Sequence, residues 1–67
     1  MTLFDCLPAL AEGKVIRRIE EETGRIHRYR YDLAKRRLLC AINPDGSLSV
    51  IAILRDELEA TNWEVEG

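Results

Sequence analysis

The sequence has little of what reactive sites are usually built from. Its 67 residues include two cysteines, one histidine and four aromatic side chains. Cys6 and Cys40 are too few and too widely spaced for a disulfide framework or a zinc knuckle. A lone bridge between them would need an oxidising compartment, and the opening MTLFDCLPAL has neither the basic start nor the apolar stretch of a secretory leader. A Cys–His dyad would need His27 beside one of these thiols and a third group to orient the ring. Both cysteines lie in apolar stretches, where a thiol behaves as a small hydrophobe. No phosphate-loop motif and no G-x-G-x-x-G fingerprint occurs. Glu20, Glu21 and Glu22 read as a solvated turn, since an acid/base pair of carboxylates needs opposed environments. The expectation is a chain without catalytic residues, metal or cofactor.

Long apolar runs are also missing. The longest, Leu38–Ile42 and Val50–Leu54, have five residues each and are far too short to span a membrane. A single domain covering residues 1–67 is expected, near the lower size limit for independent folding. One core of this size supplies only about 3–5 kcal/mol. With disulfides and metals set aside, association into a homo-oligomer is the expected source of further stability.

What the chain does have is segregated charge. Residues 14–37 carry nine basic side chains against four acids, a net of +5, whereas residues 45–67 carry six acids against Arg55, a net of −5. Such asymmetry suits an anionic partner for the middle or complementarity between subunits. It equally suits a small sheet that solvates its outer face with arginine. The overall charge of −2 argues against a dedicated, sequence-specific nucleic-acid binder.

The pattern along the chain predicts an α+β fold: an N-terminal helix packed on a small antiparallel sheet of about four to five strands, with a short C-terminal helical turn. Leu3, Leu7 and Leu10 mark the inner face of a helix over 2–12, with Phe4 and Ala11 beside them. Thr2 and Asp5 resemble a capping box, and Gly13 suits the position just past the end. Pro8 removes a helical hydrogen bond if Thr2 is the cap, and little is lost if Asp5 is. A short or bent helix is expected. Lys14–Glu20 reads as a strand and 21–24 as a turn. Arg25–Leu33 alternates, with His27, Tyr29, Tyr31 and Leu33 on one side and Arg28, Arg30 and Asp32 on the other. Ile26, Tyr29 and Leu33 also fit a helix through 26–38, but a period of two fits better. Leu38–Ile42 and Ser47–Leu54 then form a hairpin about Asn43-Pro44-Asp45-Gly46, a turn whose four residue types each suit their position. Arg55–Ala60 reads as a helical turn and Asn62–Glu66 as a last strand with Trp63 and Val65 inward.

Candidate binding residues follow from side-chain chemistry. Arg17, Arg18, Arg28 and Arg30 can each donate paired hydrogen bonds to phosphate. Tyr29, Tyr31 and Trp63 can stack on a base or fill a core or protein interface.

The segments Phe4-Asp5-x-Leu7-x-x-Leu10-x-x-Gly13-Lys14-x-Ile16-Arg17-Arg18 and Asp45-Gly46-Ser47, with Asp56-Glu57-Leu58-x-Ala60-x-Asn62-Trp63-Glu64-Val65, carry a resemblance. In their order and spacing they are similar to the Thoeris anti-defence sponge family of the second type, short phage proteins with relatives among anti-CRISPR proteins. The resemblance covers roughly 3–18 and 45–66. It implies a small α+β fold that forms homo-oligomers and traps a cyclic nucleotide immune signal uncleaved, in the cytoplasm of an infected bacterial host. The alternative it implies is an anti-CRISPR-type inhibitor that blocks a protein immune effector. Where the family has a Trp-Asn-Gly-x-Gly segment after the basic strand, this chain has Ile19-Glu20-Glu21-Glu22-Thr23-Gly24, whose acids repel phosphate.

Overall fold

The structure, a computed structural model, describes residues 1–32, 34 and 38–67. The expected strand residue Leu33 and the bases Lys35, Arg36 and Arg37 lie outside the described residues.

Helix α1 spans Leu3–Ala11. Its start is set by the predicted box: Thr2 Oγ1 accepts from the Asp5 amide at 3.3 Å, and Asp5 Oδ2 accepts from the Thr2 amide at 2.9 Å. Thr2 is therefore the cap, and Pro8 sits inside the helix, where its missing amide leaves the Phe4 carbonyl without an intrahelical donor. The helix closes on Gly13 at φ 83°, with the Gly13 amide donating to the Leu10 carbonyl and the Lys14 amide to that of Ala9, both at 3.0 Å. The inner face differs from the expectation. Leu3, Cys6 and Leu10 are buried, while Leu7 is 40% and Phe4 62% exposed. Cys6 and Leu7 lie at equal angles on either side of the Leu3–Leu10 line, and it is the Cys6 side that meets the sheet, where the small thiol lets the helix sit close.

Five strands follow: β1 (Ile16–Ile19), β2 (Ile26–Asp32), β3 (Leu38–Ile42), β4 (Leu48–Val50) and, after helix α2 (Arg55–Glu59), β5 (Trp63–Val65). They form one antiparallel sheet in the order β4-β3-β2-β1-β5. Strands β1 to β4 run as a meander, and β5 returns to pair with the free edge of β1. The turn between β3 and β4 has the predicted chemistry: Gly46 at φ 86° donates to the Asn43 carbonyl at 2.9 Å, and Asp45 accepts from Ser47. The apolar run after that turn does not continue as a strand to Leu54, as expected. Pairing stops at Val50, and Ile51 and Ile53 turn onto the core.

Each strand residue faces one side or the other, and the helix covers only one side. On it, Leu3, Cys6 and Leu10 pack against Ile16, Tyr29 and Trp63, with Tyr31, Leu39, Ala41, Ile51, Ile53 and Ala60 around them. Trp63 is held by its indole N–H, which donates to the Glu57 carbonyl at 2.9 Å, and by its backbone amide, which donates to the Met1 carbonyl at 3.0 Å. The other side of the sheet has no covering layer among the described residues. No helix among them is long and apolar enough to cross a membrane.

Candidate binding face

The sheet divides the predicted binding residues into two groups. Arg17, Arg28 and Arg30 project from the open side, because each is one residue out of phase with a core residue: Ile16, Tyr29 or its alternate Tyr31. Arg18 takes the opposite parity and lies with Tyr29, Tyr31 and Trp63 on the helix side.

On the open side, Arg17 and Arg28 are directly opposite one another in the β1–β2 register. Like charges in that position repel, and two acids from the C-terminal segment offset this. Arg17 donates to Glu64 through Nε at 3.0 Å and approaches it through Nη2 at 2.9 Å. Arg28 Nε donates to Glu66 at 2.8 Å. Arg30 is exposed and forms no ion pair among the described residues. Both pairs are substantially solvated, so each contributes little to stability and opens readily. Toward the far edge the same face turns apolar, with Leu38 and Val50 exposed, Ile42 and Leu48 half-buried, and Cys40 buried among them.

The helix side is arranged differently. Trp63 is fully buried and Tyr29 nearly so, their rings 5.3 Å apart and tilted by 49°. Neither presents a free face, so of the two roles open to them, stacking on a base or filling the core, both rings take the core, as suits a domain this small. Tyr31 is half-buried against the same core. The Arg18 guanidinium lies 5.8 Å from the centre of the Trp63 ring, and its Nε is buried without a hydrogen-bond partner.

Beside these groups is a cleft of about 460 Å³ lined by Arg18, His27, Tyr29, Ile51, Leu54 and Glu57, among others. Burial, then the nearby Glu57 carboxylate, pushes the Tyr29 hydroxyl above its ordinary pKa. His27 Nε2 lies 2.9 Å from Glu20, whose carboxyl this hydrogen bond holds below its ordinary range. A neighbouring cleft of about 530 Å³ is lined by Glu20, Glu21, Glu22, Asp56 and Glu59, with Arg18 the one cation among its described lining residues. Such a surface repels phosphate. The sequence-level grouping of Arg18 with the other three arginines is therefore not a spatial one.

The cysteines are buried and unbridged. Cys6 sits in the helix–sheet core, where desolvation raises its pKa above the ordinary thiol value. Cys40 is on the side of the sheet opposite His27, which rules out a dyad between those two. Among the described residues, no three His, Cys, Asp or Glu side chains are placed to hold a metal ion. The apolar half of the open face was not singled out by sequence reasoning; its signal was the two-sided apolar character of Leu38–Ile42. No protein-family model, no curated protein and no solved structure matches this chain.

Proposed function

We propose that this chain is a non-catalytic binding protein that captures an anionic, cyclic nucleotide-type immune signal without cleaving it. It does so in the cytoplasm of an infected bacterium and as a homo-oligomer. One observation carries the reading: three guanidinium groups, those of Arg17, Arg28 and Arg30, share one sheet face that none of the described residues covers with a second layer, and two of them stand directly opposite each other. Opposed arginines are unfavourable unless an anion lies between or beside them, and Glu64 and Glu66 supply only exposed, exchangeable partners. A phosphate that displaces one of those carboxylates gains a bidentate partner in return. The resemblance to the sponge family supplies the ligand class, and the helix-on-antiparallel-sheet architecture is of the kind that resemblance implies. A role in capture rather than chemistry is supported by the burial of both thiols.

The test is to incubate purified protein with a panel of cyclic nucleotides, wash it, denature it and analyse what is released. Release of an intact ligand supports the proposal; release of a cleaved one, or of nothing across the panel, defeats it.

A second reading is favoured by the apolar half of the same face. Exposed Leu38 and Val50 beside arginines suit a protein surface better than a nucleotide. On this reading the chain blocks a protein immune effector. A purified effector that binds the wild type and not a Leu38→Lys variant would support it over the first.

A further inference from the structure

Strand β4 is one edge of the sheet, and its unused backbone groups say what can cover it. The Asn43 amide donates to the Ser47 carbonyl, so the alternation of an antiparallel ladder makes Ala41 and Ser49 the next bonded pair. The amides and carbonyls of Leu48 and Val50 then point away from β3. Beyond the β3 ladder, no backbone hydrogen bond is made by Leu48, Val50, Ile51, Ala52 or Ile53 among the described residues.

Edges of this kind are normally blunted by charge, proline or a covering element. The run Ser47–Leu54 has no charge and no proline, and it is rich in the β-branched residues that favour strands. Only three of its residues are in the sheet. The opposite edge contrasts with it: β5 carries Glu64 and is followed by Glu66, so a copy of itself would be repelled there.

We infer that β4 is a pairing edge for a second copy of this chain, joined antiparallel about a two-fold axis to give one continuous ten-stranded sheet. The occupant is set by the chemistry of the edge. An uncharged strand can pair with itself without like-charge repulsion, and exposed Val50 gains a neighbour of its own kind. The axis stands perpendicular to the sheet, so both open faces lie on the same side. The apolar halves merge into one central strip, and an arginine patch flanks it at each end. This inference names the interface for the oligomer proposed above and does not depend on the ligand.

The test uses ligand-free, full-length protein. Sedimentation should give a dimer, about twice 7.7 kDa, and hydrogen exchange should find the Leu48 and Val50 amides protected. Val50→Pro removes an outward amide without touching the β3 ladder, and Val50→Lys places a charge on the axis. Each should shift the mass to that of a monomer while circular dichroism stays native. A wild type that is monomeric at millimolar concentration, Leu48 and Val50 amides that exchange as fast as those of the 21–24 turn, or a dimer that survives both substitutions would each overturn the inference. Because nucleotide binding is not read, failure here is distinct from failure of the ligand proposal.

Discussion

Arg18 and Trp63 are cross-strand partners on β1 and β5, with the guanidinium 5.8 Å from the centre of the buried ring. The arrangement holds the arginine stem against the core and strands its Nε without a partner. Arg18→Met keeps the stem and drops the charge, so stability should be unchanged or raised by about 1 kcal/mol. Trp63→Ala should cost about 3–5 kcal/mol, which is comparable to the whole stability of such a domain, and so leave it unfolded. Urea denaturation followed by circular dichroism checks both.

Much of this arrangement was legible in the sequence, and where it was not, the reason is physical. The Thr2–Asp5 box, Gly13 and the Asn43–Gly46 turn are local devices whose chemistry needs no tertiary context, and all three form as read. The inner face of α1 was misjudged because Cys6 and Leu7 flank the Leu3–Leu10 line equally, hydrophobicity favours Leu7, and only the docking of the helix on the sheet selects Cys6. The strand expected to reach Leu54 ends at Val50, although Ile51 and Ile53 keep the core-facing parity that the strand reading gave them. The arginines defeat a one-dimensional reading for a simpler reason. Arg17 and Arg18 are neighbours in the chain, and neighbours on a strand face opposite ways.

Acid should destabilise the fold. The Thr2 amide bonded to Asp5, the His27 ring bonded to Glu20 and the Ser47 hydroxyl bonded to Asp45 each hold a carboxyl below its ordinary pKa. A lowered native pKa gives stability that is present above the unfolded value, about 4, and lost as pH falls through the native one. The urea midpoint should therefore hold steady from pH 7 to about 5 and decline below about 4. Asp45→Asn should flatten part of that decline, and a midpoint that rose on acidification would contradict the assignment.

Both thiols should be silent in the native state. Cys6 and Cys40 are 0% and 1% exposed, so a thiol reagent at neutral pH should label neither until denaturant is added, and then label both. Rapid labelling of either in folded protein would show that its site opens.

Glu64 and Glu66 compete with any anion for Arg17 and Arg28. Glu64→Gln and Glu66→Gln should each tighten the binding of a cyclic nucleotide several-fold, and should steepen its weakening by salt. Weaker binding in either variant would mean that the carboxylates orient the arginines for the ligand rather than occupy them.

The central claim, capture of an anion by the open sheet face, is tested most directly by titration calorimetry. Wild type should be compared with Arg17→Gln, Arg28→Gln and Arg30→Gln against a panel of cyclic nucleotides. At least one nucleotide should bind the wild type, and each substitution should weaken that binding by about tenfold or more, the worth of a charge-assisted hydrogen bond. Heat release that persists undiminished in all three variants, or none from the wild type with any nucleotide, would contradict it.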